Sequence, residues 1–238
     1  MLVRASAVEP STIATPRNAQ PSGEILLNTM SSLITGLPTA AALVCLAISG
    51  QWRRHGYLTG YLLVSAVTNL SCVAWPELWT PMAYVLLDGW QGSMLALAAL
   101  QAGRRAFGSV EGLPARAWPV ACSKALALAG ACLVVGFMLL RLPMPPGGHW
   151  GFRGLIVVDL AVAAVIAEVF HALNLYGLRM DPVPAEALVG LAICRVIQAA
   201  AFIFVESSLT VGYGIAWAAS FAYVLTMLGI CSACRGPR

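Results

Sequence analysis

The sequence predicts an all-α membrane protein: a bundle of seven transmembrane helices with the N-terminus outside and the C-terminus inside. Of its 238 residues, 59% are hydrophobic and only 10% are charged, and the mean hydropathy is +0.80. Soluble domains carry about 25% charged residues, so these values exclude a soluble globular or disordered protein. Seven apolar stretches are also present, each long enough for the roughly 20 residues that a membrane crossing requires.

The chain begins with a polar segment, residues 1–24, which is rich in Ser, Thr, Pro and Ala. This segment lacks the apolar core of a signal peptide, so we expect a flexible tail. The predicted spans follow at 26–49, 57–75, 81–102, 118–140, 154–177, 185–206 and 211–233. Pro38 lies within the first span and predicts a kink there. The seven-helix domain is therefore expected over 25–234, with a short inner tail at 235–238.

Basic residues predict the orientation, because cytoplasmic loops of membrane proteins carry an excess of Lys and Arg. With the N-terminus outside, nine basic residues fall on the inner side and four on the outer side. The inner group is Arg53, Arg54, Arg104, Arg105, Arg116, Lys124, Arg179, Arg235 and Arg238, and the outer group is Arg4, Arg17, Arg141 and Arg153. We therefore expect a multi-pass protein of the cell membrane.

Ionisable residues inside the spans are candidates for function, because a charge in the hydrocarbon is costly. Arg195 lies about eleven residues into the sixth span, or roughly 16 Å from the inner side. Glu168 lies at a similar depth in the fifth span, roughly 14 Å from the same side. Antiparallel neighbours could bring the two groups together, so the sequence predicts an ion pair between Arg195 and Glu168.

Asn69 and Gln91 fall at similar depths, which predicts one polar layer across four helices. Such a layer either fixes helix register or forms a ligand, proton or ion site. Asp88 and Gln91 share a helix face, and Gln198 shares a face with Arg195, so an outer pocket between these side chains is a further prediction. Asp159 is nine residues before Glu168 and therefore lies on the opposite face of that helix.

Cofactor and catalytic motifs are not evident. His171 shares a face with Glu168, but it is the only histidine clearly inside a span, so we expect a hydrogen-bonded residue and neither a haem nor a zinc site. Cys231 and Cys234 form a single CxxC pair without the second pair of a structural zinc site. Nucleotide-binding, serine-hydrolase and HExxH patterns are lacking. We expect no catalytic residues, no metal and no cofactor, and the protein is predicted to be non-enzymatic.

Two seven-helix families share this topology. It is similar to that of microbial rhodopsins, which attach retinal to a lysine in the last helix, but residues 211–233 contain no lysine. It is also similar to that of small 3+1+3 sugar transporters, which carry prolines in helices of both repeats, whereas only Pro38 fits here. Membership of neither family is inferred.

The function predicted first is a membrane module that senses a small ligand or docks another membrane protein. Its expected partners are the lipid bilayer and a membrane-protein or cytoplasmic signalling partner, with no nucleic acid. A signalling partner would meet the basic inner face at Arg53, Arg54, Arg104 and Arg105. The alternative is a small-solute or proton-coupled transporter that uses Arg195, Glu168, Asp88 and Gln91.

Overall fold

The computed structural model describes residues 22–75, 81–110, 113–141, 150–207 and 209–235, and all regular structure in these ranges is helical. The helices are α1 (Ser22–Ile48), α2 (Gly56–Ala74), α3 (Pro81–Gly108), α4 (Leu113–Leu140), α5 (Trp150–Leu175), α6 (Pro182–Ser207) and α7 (Leu209–Arg235). One turn of 3-10 helix, Gln51–Arg53, connects α1 to α2. The predicted fold class, seven helices and no sheet in the described residues, is confirmed.

Membrane-crossing capacity is confirmed for most of the bundle. Within the described residues, α2, α4, α5, α6 and α7 are long and apolar enough to span a bilayer. The apolar part of α1 that qualifies, Ser32–Ile48, is shorter. The third helix is not among the five. The inside–outside orientation stays a prediction.

The helix ends lie close to the predicted ones, with differences that matter for the site. The first helix begins at Ser22, so residues 22–24 of the predicted tail are helical, and residues 1–21 lie outside the described part. The fifth helix ends at Leu175, followed by Gly177 with φ 64°. The Leu178 amide donates to the Leu173 carbonyl at 2.9 Å, which completes a Schellman cap that needs this left-handed glycine.

Six helices form a closed ring in the order α1, α2, α3, α5, α6, α7, because each packs against the next and α7 packs back on α1. The fourth helix lies outside this ring, mainly against α5 and less against α3. The fifth helix packs against three neighbours and is the most buried of the five spans, since 61% of its apolar 18-residue stretch is buried. The ring therefore has an interior that six helices share and that α4 does not reach.

Glycines allow the closest helix crossings in the bundle. A Cβ atom at Gly136 of α4 would overlap the side chain of Val157 on α5. A Cβ atom at Gly190 of α6 would overlap Thr226 on α7 in the same way. Helices in membranes associate through such small residues, since lipid supplies no hydrophobic force between them.

The short connections make consecutive helices antiparallel, so the helix ends lie on two opposite sides of the bundle. The N-terminal side is the end at which α1, α3, α5 and α7 begin. The C-terminal side is the end at which these helices finish, and it carries the α1–α2 and α5–α6 connections. An ion pair joins these two connections, with Arg54 Nη2 3.2 Å from Asp181 Oδ2.

Candidate functional site in the interior of the helix ring

A charged cluster of Asp88, Asp159 and Arg195 lies inside the ring. Arg195 Nη1 donates hydrogen bonds to Asp88 Oδ1 and to Asp159 Oδ1, each at 2.6 Å. The three residues are 7%, 0% and 4% exposed, respectively. The cluster joins α3, α5 and α6 through one guanidinium nitrogen.

Each residue of the charged cluster lies well inside its helix, on the N-terminal half of the bundle. Asp88 is seven residues from the start of α3, Asp159 is nine from the start of α5, and Arg195 is twelve from the end of α6. At ~1.5 Å per residue these positions are about 10, 14 and 18 Å from the N-terminal side. The long arginine side chain covers the remaining offset between its own backbone and the two carboxylates.

The predicted ion pair between Arg195 and Glu168 is wrong, because Asp159 occupies that place. The observed helix ends put Arg195 thirteen residues from the start of α6 and Glu168 seven from the end of α5. These positions are about 20 and 10 Å from the C-terminal side, so the depths do not match. Asp159 lies on the opposite face of α5 from Glu168 and points into the ring, where Glu168 cannot.

The charged cluster carries an excess of negative charge and two unsatisfied acceptors. Its two carboxylates and one guanidinium have a formal charge of −1 when all are ionised. Asp88 Oδ2 and Asp159 Oδ2 are both buried without a hydrogen-bond partner. Leaving a buried carboxylate oxygen unsatisfied costs at least about 1–3 kcal/mol. One proton on either carboxyl group would neutralise the cluster and convert one unsatisfied acceptor into a donor.

A hydroxyl network lies next to the charged cluster and is centred on Tyr223 of α7. The Tyr223 hydroxyl is 2.9 Å from Thr39 Oγ1 on α1 and 3.0 Å from Ser65 Oγ on α2. Tyr61, on the same face of α2 as Ser65, is hydrogen-bonded to Tyr223 and lies within electrostatic range of Arg195 and Asp88. The charged cluster and the hydroxyl network therefore form one buried polar group to which all six ring helices contribute.

The hydroxyl of Tyr223 is expected to hold α1, α2 and α7 together. Replacing Tyr223 by Phe should cost about 0.6–1.7 kcal/mol, the range of hydrogen bonds between membrane helices. Thermal unfolding in detergent measures the change. Tyr176→Phe is the control, because Tyr176 is exposed and contributes its ring edge to Phe107. Equal losses for the two variants would contradict the role given to the Tyr223 hydroxyl.

The remaining predicted site residues are not brought into the charged cluster. Asn69 on α2 packs beside Gly36 of α1. Gln91 and Gln198 are half-buried, and none of the three forms a hydrogen bond to another described residue. The outer pocket between Asp88, Gln91 and Gln198 stays a prediction. Of these three residues, only Asp88 contacts Arg195.

Glu168 and His171 share one face of α5, as predicted, and that face is turned to α4. Together with Lys124 of α4 they line a cleft between the two helices. Lys124 and His171 are exposed and Glu168 is half-buried. The predicted hydrogen-bonded position of His171 is wrong, because its side chain forms no hydrogen bond to another described residue. This cleft, the α4–α5 cleft, is separate from the charged cluster because it opens outside the ring.

Three cysteines, Cys45 of α1 and Cys231 and Cys234 of α7, lie close together at the C-terminal side of the bundle. The Cys45 and Cys231 thiols interact, and Cys234 interacts with Ser49. All seven cysteines are free. Among the described residues, no three His, Cys, Asp or Glu side chains are arranged to hold a metal ion.

His55 is a buried histidine at the C-terminal side, immediately before α2. It is 3% exposed, and its Nε2 has no hydrogen-bond partner. Burial lowers the pKa of His55 from 6.5 to about 4, with a further lowering by Arg105 and Arg54 and an opposing effect of Asp181. The imidazole is therefore neutral in the folded protein at neutral pH.

Acidification should destabilise the protein through His55. The unfolded chain binds a proton at this histidine near pH 6.5, whereas the folded chain does so only near pH 4. Stability from this residue is thus present above pH 6.5 and is lost between pH 6.5 and 4, by up to about 3 kcal/mol. Thermal unfolding from pH 7 to 4 should show a steeper loss for the wild type than for His55→Gln. Parallel pH profiles would contradict the prediction.

Fold and site together define a helical membrane protein with a buried, charged polar interior. Comparison of the chain with protein-family models, with curated proteins and with solved structures gave no match.

Proposed function

We propose that this chain is a non-enzymatic membrane module whose small ligand is the proton, bound by the charged cluster of Asp88, Asp159 and Arg195. In this proposal the deprotonated cluster carries one excess negative charge and the protonated cluster is neutral. The two unpartnered Oδ2 atoms support it most directly, since they are buried acceptors that lack a donor. A buried charge in the membrane costs several kcal/mol, on the order of 3, which gives the two states different stabilities.

Protonation would change the packing of the ring, because the cluster joins helices that are far apart in sequence. Arg195 is held equally by Asp88 on α3 and Asp159 on α5, at 2.6 Å from each. Neutralising one carboxyl group leaves Arg195 paired with the other one alone. The contact with the protonated group weakens, and α3 or α5 is released relative to α6. This change is the output that a sensor module requires.

Other polar groups around the cluster would exchange the proton or shift its binding. Tyr61 of α2 and Cys194 of α6 interact with the Arg195 guanidinium. Tyr223 of α7 joins Tyr61 to the hydroxyls of Ser65 and Thr39. In the proposal the hydroxyl groups of Tyr61, Tyr223, Ser65 and Thr39 form a hydroxyl chain, along which a proton passes between α1 and the cluster.

Infrared difference spectroscopy between acidic and alkaline pH tests the proposal, because a protonated carboxyl group has its own C=O band. The wild-type protein in lipid nanodiscs should show one band of a buried carboxylic acid. Asp159→Asn and Asp88→Asn should each remove or shift this band. Glu186→Gln is the matched control, since Glu186 is an exposed carboxylate on α6. The Trp fluorescence of the same samples reports the accompanying change in packing.

Three outcomes would contradict proton binding at the cluster. The band could be absent from the wild type between pH 4 and 9, or it could persist in both aspartate variants. The transition could also follow the sodium concentration at fixed pH, which would make a metal cation the ligand.

A proton-coupled carrier is the second candidate, and it would use the same cluster. The hydroxyl chain supports it, because a carrier needs a route between the site and an aqueous side. Proteoliposomes with an internal pH-sensitive dye separate the two functions. Proton flux that disappears in Asp159→Asn would indicate a carrier, and a spectroscopic transition without flux would indicate a sensor.

The proposal also states which membrane holds the chain, which side faces the cytoplasm and where a partner binds. We place the chain in the cell membrane with its C-terminal side in the cytoplasm. Arg53, Arg54, Arg104 and Arg105 are exposed at that side and form the surface for an output partner. A reporter that is active only in the cytoplasm, fused after Arg238, tests the orientation and should be active. An inactive fusion protein of normal abundance would show the opposite orientation.

A further inference from the structure

We propose that the α4–α5 cleft binds the headgroup of a membrane phospholipid that carries both a phosphate and a primary ammonium group. Lys124 would pair with the phosphate and Glu168 with the ammonium group, and His171 would add a hydrogen bond to the phosphate. The site lies outside the ring, so it is independent of the charged cluster and of the proposed proton binding.

The cleft lies where a headgroup can reach it. Lys124 is eight residues after Arg116, the start of the apolar part of α4, and Glu168 is seven before the end of α5. These positions are about 12 and 10 Å from the ends of the two apolar spans that face the C-terminal side. Tyr176 lines the cleft towards that side, at the level where aromatic residues contact lipid headgroups.

The ionisable groups in the cleft lack partners within the protein. Lys124, Glu168 and His171 form no salt bridge or hydrogen bond to any other described residue. Lys124 and His171 are nevertheless exposed on the outside of the bundle, which faces lipid. Because unpaired charges at this depth are costly, an external group of matching charge would be bound favourably. The enclosed volume is only about 20 Å³, so the headgroup lies over the opening, with its acyl chains along α4 and α5.

The charges in the cleft select among phospholipids. One cation and one carboxylate match a zwitterionic headgroup, whereas an anionic glycerol headgroup would leave Glu168 without a partner. A primary ammonium group donates hydrogen bonds to a carboxylate, but the trimethylammonium group of choline has no N–H to donate. Phosphatidylethanolamine therefore fits better than phosphatidylcholine or phosphatidylglycerol.

Native mass spectrometry of the delipidated full-length protein tests the site. The protein is mixed with phosphatidylethanolamine, phosphatidylcholine or phosphatidylglycerol of identical acyl chains, and the retained lipid is counted. We expect one phosphatidylethanolamine retained, with roughly tenfold tighter binding than for the other two lipids. Glu168→Gln should abolish the preference for phosphatidylethanolamine without abolishing lipid binding. Lys124→Gln should weaken the binding of all three lipids.

Arg116→Gln is the matched control, because it removes an exposed cation of α4 outside the cleft. It should leave the lipid preference unchanged. Equal retention of the three lipids, or an unchanged preference in Glu168→Gln, would overturn the proposal. Displacement of the lipid by millimolar phosphoethanolamine or inorganic phosphate would identify a soluble ligand instead of a membrane lipid. A dimer that Lys124→Gln dissociates would identify a second copy of the chain as the occupant.

Discussion

Arg195→Met should destabilise the protein by about 3–5 kcal/mol, the cost of removing one partner from a buried ion pair. The variant leaves Asp88 and Asp159 buried with no cation between them, and the fully ionised cluster would carry a formal charge of −2. Thermal unfolding in detergent, followed by size-exclusion chromatography of the heated sample, measures the loss. Val196→Met is the control, since it also introduces a methionine into α6, but at an exposed position on the outside of the bundle.

Neutral variants of the aspartates test whether charge balance, and not shape alone, explains that loss. Asp88→Asn and Asp159→Asn each leave one carboxylate for Arg195, so each single variant should stay close to wild-type stability. The double variant leaves the guanidinium unpaired and should lose about as much as Arg195→Met. Adding Arg195→Met to the double variant removes every charge and should recover most of the stability. Losses that simply add would contradict a shared charge balance.

Gly136→Ala should destabilise the packing of α4 on α5 by about 1–3 kcal/mol, because its Cβ atom would overlap the Val157 side chain. Gly130→Ala is the matched control on the same helix. A Cβ atom at Gly130 meets no other atom within 4 Å, so this variant should gain up to about 1 kcal/mol of helix propensity. The two substitutions are chemically identical and should change the unfolding temperature in opposite directions. A loss at both glycines would show that the overlap with Val157 is not the cause.

The helices of this protein could be predicted from sequence because each is a long apolar run bounded by proline, glycine or charge. The α5–α6 connection is an example, since Gly177 and Pro182 end one helix and begin the next. The order of helices around the ring could not be predicted. The contacts of α1 with α7 and of α3 with α5 join helices that are not consecutive in the chain, and hydropathy carries no information about them.

Two of the three residues of the charged cluster could be predicted, and the error at the third has a physical cause. Arg195 and Asp88 were identifiable because charges inside spans need partners. Errors of two or three residues at the ends of α5 and α6 shifted the estimated depths of Glu168 and Arg195 in opposite senses, so that they coincided. The helical phase places Glu168 and Asp159 on opposite faces of α5, so only one of the two can lie in the ring interior with Asp88.

The hydroxyl network was only partly visible in the sequence. Tyr61 and Ser65 lie in a polar stripe that is evident along α2, and Thr39 in a similar one along α1. Tyr223 has only two polar neighbours at helical spacing on α7, Ser220 and Thr226, and looks like an ordinary aromatic residue of an apolar span. Its role depends on α7 closing the ring against α1 and α2, which is a property of the tertiary fold.

The closed ring has a consequence for biosynthesis. Asp88 and Arg195 are 107 residues apart, so at about 5–20 residues per second the aspartate is made roughly 5–20 s before its cation. During this time α3, which is not among the five apolar spans, has no counter-charge to hold it in the bilayer. We therefore expect its retention at the insertion machinery until α6 emerges. A ribosome that stalls before α6 would release a chain with two unpaired carboxylates, a species recognisable to membrane quality-control proteases.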